Sequence, residues 1–203
     1  MNATSYFATA DTWTGEIVEA LSQMHGRVLD VGCGAGRHAL HAASLGCDVV
    51  GLEPSPGAIE VCRRRRVHAI RGRLGDQDIS LDGFDGVMML GNNLGLLASP
   101  QEAPGHLRWL ADRCPPGATL VGEALDPTDT VDPDHLAYQR RATAAGRAAG
   151  QMRLRASFNG QVDDWFSYWH LTPDELRHAV SQTPWRVVGV AGSPTYVAVL
   201  TRE

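Results

Sequence analysis

The stretch VLDVGCGAGRH, residues 28–38, constrains the fold more than any other part of the chain. An apolar run carrying one acid, Asp30, leads into glycines at alternate positions, Gly32, Gly34 and Gly36, and then into the helical sequence RHALHAASLG. A strand, a glycine turn and a helix N-terminus place backbone N–H groups and the positive end of a helix dipole against a ligand. Glycines let the chain turn tightly and approach that ligand closely.

The rest of the chain repeats the strand-then-helix alternation. Ile17, Ala20, Leu21 and Met24 recur at helical spacing and predict an amphipathic helix over 13–24. Strands are expected at RVLDV (27–31), CDVVGLE (47–53), VHAI (67–70), FDGVMML (84–90) and ATLVGEAL (118–125), with helices between them. Such alternation predicts a parallel sheet of right-handed crossovers. WRVVGVAG and TYVAVLTRE supply two closing strands, close enough in sequence to pair antiparallel. Between them and the fifth strand, residues 126–171 depart from the alternation. QMRLRASF and QVDDWFSYWH flank Asn159-Gly160, a strong hairpin signal. LTPDELRHAV then resumes as a helix, with Thr172 and Glu175 forming a capping box and Pro173 in the first turn. One domain over residues 1–203 is expected, with a substrate-side lid or dimerisation insertion at 126–171.

The spacing of the glycines selects the ligand. Glu53 ends the second strand about 20 residues further on, where an acid can accept two ribose hydroxyls. A dinucleotide loop, G-x-G-x-x-G, would place its third glycine at Arg37; here the spacing is G-x-G-x-G. Asp30 stands two residues before the first glycine, where its charge would repel a pyrophosphate and attract the ammonium of a sulfonium cofactor.

These residues resemble motif I of the class I S-adenosylmethionine-dependent methyltransferases. The resemblance spans nearly the whole chain. It implies an α/β, doubly wound, mostly parallel seven-stranded sheet with an antiparallel last strand, plus a β-hairpin-containing insertion before the last helix. It also implies S-adenosyl-L-methionine as cofactor. Asp30, Gly32, Cys33, Gly34, Gly36 and His38 would then line the methionine part, and Glu53 and Pro54 the ribose. Leu74, in GRLGD, would pack on the adenine, and Leu90, Gly91 and Asn92, in LGNNLG, would line the methyl-transfer zone. The insertion resembles one carried by a branch of small prokaryotic methyltransferases, on GNNLGLL, PDHLAY, GQMRLR and WFSY.

Ligands of such sheets bind beyond the carboxyl ends of the strands. Tyr6, Trp13, Asn93, Arg153 and Trp165 are therefore candidate acceptor-binding residues, from the N-terminus, the fourth strand and the insertion. In-line transfer to an oxygen or a protonated amine needs a base. His135 is the first candidate, with Tyr138 and His170 behind it. Arg147 and Arg155 fit either an anionic acceptor group or a solvated face. The aromatic cluster Trp165, Phe166, Tyr168 and Trp169 fits a pocket wall, a dimer contact or closure of the hairpin onto the core.

Composition narrows the partners. A formal charge of −5 argues against a nucleic-acid binder. The basic run Arg63–Arg66 falls at a helix C-terminus, where the dipole favours cations. Cys33, Cys47, Cys62 and Cys114 show no C-x-x-C spacing, so free thiols in the cytoplasm and no metal site are expected. No apolar stretch approaches the roughly 20 residues of a membrane span, and the N-terminus shows no secretory leader. The expected function is methyl transfer to the N or O of a small-molecule acceptor by a monomer or homodimer. The alternatives are an RNA or protein methyltransferase and a non-catalytic cofactor-binding partner or sensor.

Overall fold

A computed structural model describes residues 3–77, 81–155, 157–158, 161–162 and 164–203. Its centre is a seven-stranded sheet built from β1 (Arg27–Val31), β2 (Asp48–Glu53), β3 (Ala69–Arg71), β4 (Gly86–Met89), β5 (Thr119–Leu125), β10 (Trp185–Ala191) and β11 (Thr195–Arg202). The strand order is β10-β11-β5-β4-β1-β2-β3. β11 runs antiparallel to both its neighbours, and the other described pairings are parallel. This is the expected doubly wound sheet with an antiparallel last strand.

Helices cover both faces: α1 (Gly15–Ser22), α2 (Arg37–Ser44), α3 (Pro56–Arg64), α4 (Ala103–Ala111) and α6 (Pro173–Val180), while α5 (Pro133–Ala144) belongs to the insertion. Strands buried on both faces read as continuous apolar runs, and β4 is buried throughout. Two cores result. Leu29, Val87, Leu107 and Trp185 belong to one; Leu21, Val28, Met88 and Val121 belong to the other. Adjacent residues such as Val28 and Leu29, or Val87 and Met88, fall on opposite sides because strand side chains alternate.

Local signals fix the helix starts. Ser55 caps α3 by accepting from the Ala58 N–H, Asp132 caps α5, and Thr172 and Glu175 close the capping box of α6. The third strand lies slightly later than the sequence suggests. Arg66 is left-handed at φ 60°, and Val67 turns back to donate to the Cys62 carbonyl, so extended pairing begins only at Ala69.

The insertion is more ordered than its polar sequence suggests. It holds α5 and two antiparallel ladders, β6 (Gln151–Leu154) with β9 (Phe166–Trp169) and β7 (Ser157–Phe158) with β8 (Gln161–Val162). The turn residues Asn159 and Gly160 lie outside the described residues. No helix among the described residues is long and apolar enough to cross a membrane.

Candidate active site

The glycine loop joins β1 to α2 at the carboxyl edge of the sheet. Gly32, Gly34 and Gly36 all adopt left-handed φ, at 72°, 55° and 74°. A Cβ on Gly32 would lie 2.6 Å from the Asn93 amide nitrogen, and one on Gly34 would meet the Tyr6 ring at 3.4 Å. The loop therefore excludes side chains both by backbone conformation and by close neighbours. Cys33 turns its side chain into the core instead, with its Sγ 4.0 Å from that of Cys62. All four cysteines are free and buried.

Two acids flank the loop, and their hydrogen bonding differs. Glu53, at the end of β2, accepts from the Gly34 N–H at 3.0 Å and the Ser55 N–H at 2.9 Å. Asp30 is 1% exposed, and neither of its carboxylate oxygens has a hydrogen-bond partner among the described residues. Burial raises its pKa to about 7; the Ala39 N–H pulls the other way from outside hydrogen-bond geometry, and the Glu53 charge adds to the rise. A buried, unsatisfied carboxylate is costly unless a donor arrives. An ammonium group meets that need, so this acid and this loop fit the amino-acid end of S-adenosylmethionine.

His38 lies on the first turn of α2 and is buried, with its Nε2 unpaired among the described residues and its pKa lowered to about 3 by burial and by Arg37. Trp13 packs edge-on against it, with ring centroids 4.7 Å apart. Pro54 follows Glu53, and its carbonyl accepts from Arg71 at 3.4 Å. Leu74 sits in the turn after β3, half-buried against the core.

Leu90 and Gly91 continue β4 into a loop, and a short 3-10 helix follows at Asn93–Leu97. Asn93 donates to the Val31 and Gly32 carbonyls, both at 2.9 Å, which ties this loop to the glycine loop. Asn92 is left-handed at φ 66°. Tyr168, from β9, donates to the Asn92 carbonyl at 2.5 Å, and its ring lies 5.2 Å from that of His170. Glu123, from β5, accepts from the Gly91 and Asn92 N–H groups at 2.5 and 3.3 Å. Burial, and then Glu123, push the Tyr168 phenol upward, so it remains a donor.

The other candidate side chains are distributed differently. Tyr6 sits over the glycine loop, and Phe7 beside it stacks under Arg65 at 5.2 Å. His135 is exposed in the first turn of α5, with its Nδ1 3.2 Å from the Thr130 hydroxyl. Tyr138 donates to the Gln151 carbonyl at 2.7 Å and joins α5 to β6. Arg153 and Arg155 lie over the exposed Trp165 ring at 6.0 and 4.6 Å. His170 is half-buried with Nδ1 unpaired, and burial lowers its pKa. Glu123 and Tyr168 carried no separate sequence signal. Glu123 sits inside an apolar strand, and Tyr168 is one aromatic among four.

Fold and glycine loop together define a Rossmann-like α/β domain with a seven-stranded sheet. Residues 28–117 match the family model for a methyltransferase domain. The chain is 30% identical over 107 residues to a cypemycin N-terminal methyltransferase from Streptomyces sp., covering 50% of this chain and 43% of that protein. It is 34% identical over 96 residues to a dTDP-3-amino-3,6-dideoxy-alpha-D-glucopyranose N,N-dimethyltransferase from Streptomyces fradiae, covering 46% and 38%. The chain thus spans less than half the length of these curated relatives. Among solved structures, the fold matches a methyltransferase from Bacteroides fragilis in complex with S-adenosyl-L-homocysteine. The TM-score is 0.82 at 22% identity, covering 100% of this chain and 82% of that one.

Proposed function

We propose that this chain transfers a methyl group from S-adenosylmethionine to the nitrogen or oxygen of a small-molecule acceptor in the cytoplasm. The observation that carries this reading is Asp30, a buried carboxylate with both oxygens unpartnered at the end of β1, beside a loop that excludes side chains. One curated relative is named as an N,N-dimethyltransferase of an amino-sugar nucleotide and the other as an N-terminal methyltransferase, which favours an amine-bearing acceptor.

When bound, the cofactor supplies an electrophilic methyl group on a sulfonium. The chain's own residues hold and screen it. Asp30 takes the ammonium, and the glycine loop, with Cys33 and His38, lies along the methionine part. Glu53 and Pro54 take the ribose side, Leu74 packs on the adenine, and Leu90, Gly91 and Asn92 border the transfer zone. Tyr6 and Trp13 cover the cleft from the N-terminal side, and Asn93 keeps the two loops in register. Arg153 and Trp165 offer a cationic, aromatic rim from the hairpin. His170 stands beside Tyr168, ring centroids 5.2 Å apart, which makes it the best placed of the three candidates to take a proton. His135 and Tyr138 spend their hydrogen bonds holding the insertion together.

Calorimetry with S-adenosylhomocysteine and NADH tests the cofactor, and methyl transfer to a panel of small amines and alcohols tests the reaction. Binding of the homocysteine compound and not of NADH is expected. Folded protein that binds neither S-adenosylmethionine nor its demethylated product overturns the assignment.

A further inference from the structure

A second buried acid stands at the carboxyl ends of β4 and β5. Glu123 is 8% exposed, and one of its carboxylate oxygens accepts both the Gly91 and Asn92 N–H groups. From the other side Tyr168 donates to the Asn92 carbonyl. The two residues clamp Asn92 in a left-handed conformation that non-glycine residues seldom adopt. Asn92 keeps a side-chain oxygen, Oδ1, that is buried and has no partner among the described residues. The β4–β5 ladder ends at Met89 and Gly122, and Glu123 meets the Gly91 and Asn92 N–H groups just beyond it.

We infer that the corner formed by Glu123, Asn92 and Tyr168 seats the acceptor and selects it as an amine. This rests on the methyl-transfer reading above. The corner offers a carboxylate and an unsatisfied amide oxygen, both acceptors of hydrogen bonds. A hydroxyl brings one donor and no charge. An amino group brings two or three donors and, when protonated, the charge that a buried carboxylate favours. Placement agrees: the corner lies next to the glycine loop, to which Asn93 ties it through the Val31 and Gly32 carbonyls.

Benzylamine and benzyl alcohol serve as matched probes, titrated calorimetrically into the protein with and without saturating S-adenosylhomocysteine. Wild type is expected to bind the amine at least ten-fold more tightly than the alcohol. Glu123→Gln keeps an oxygen for the Gly91 and Asn92 N–H groups and should bring the two probes within about three-fold while the alcohol's affinity stays put. Equal binding of the two probes by wild type overturns the inference. So does an amine preference that survives in a folded Glu123→Gln variant. Failure of S-adenosylhomocysteine to bind, with the Glu123-dependent preference intact in its absence, counts against the methyl-transfer reading and not against the amine seat.

Discussion

Asp30 and Glu53 sit on adjacent strands, and their surroundings set them different tasks. Glu53 is already satisfied by two backbone N–H groups, so it is held in place before any ligand arrives. Replacing it with alanine removes charge-assisted hydrogen bonds. It should weaken S-adenosylhomocysteine binding by about 1–3 kcal/mol, measured calorimetrically. Unchanged affinity would take Glu53 away from the ribose. Asp30 is unsatisfied, and its pKa moves from the ordinary 3.8 to about 7. An acid raised in this way binds its proton more tightly when folded. Its contribution to stability is therefore greatest at low pH and is lost as pH rises between those two values. Asp30→Asn should raise the melting temperature of the ligand-free protein at pH 8 and weaken cofactor binding at the same pH. A variant with lower stability at pH 8 would show that the carboxylate is already compensated. His38 acts oppositely: lowered from 6.5 to about 3, it withdraws stability as pH falls through that interval.

At the level of elements, the glycine loop and the β4 loop behave as one unit. Asn93 bridges them, and a Cβ on Gly32 would strike that bridge. Gly34 has slightly more room, with only the Tyr6 ring near it. Gly34→Val should leave far-ultraviolet circular dichroism close to wild type and abolish S-adenosylhomocysteine binding; retained binding would mean that the loop does not touch the ligand. The insertion depends on ties of its own. Tyr138→Phe removes one hydrogen bond between α5 and β6. It should cost about 1 kcal/mol in denaturant unfolding while sparing turnover. A large loss of turnover without loss of stability would return Tyr138 to the chemistry.

At the scale of the whole molecule, the chain is acidic. The net charge is −5, and two members of the basic run, Arg63 and Arg64, are paired with Glu60 on their own helix. A ligand that binds only the folded chain stabilises it by about 2.7 kcal/mol at a hundred-fold excess over Kd. For a chain of this size that corresponds to a rise of roughly 5–11 °C in melting temperature. S-adenosylhomocysteine should produce such a rise, and NADH should not.

The sheet and its glycine-loop edge were legible in the sequence because their signals are local. Alternate glycines, an acid two residues earlier and an acid closing the next strand all lie within a short span of one another. Cap residues such as Ser55, Asp132 and Thr172 act on neighbours a few positions away. The contacts around Asn92 were not legible in that way. Glu123 reaches Gly91 across 32 positions, and Tyr168 reaches Asn92 across 76. His135 and Tyr138 were singled out by residue type, and the structure gives their hydrogen-bond partners as Thr130 and Gln151. The sequence alone determined where the backbone must bend and which acids stand beside that bend, since both follow from residue type and spacing. Only the tertiary structure decided which buried groups meet there. That depends on strand order and register, which bring together residues that no local period connects.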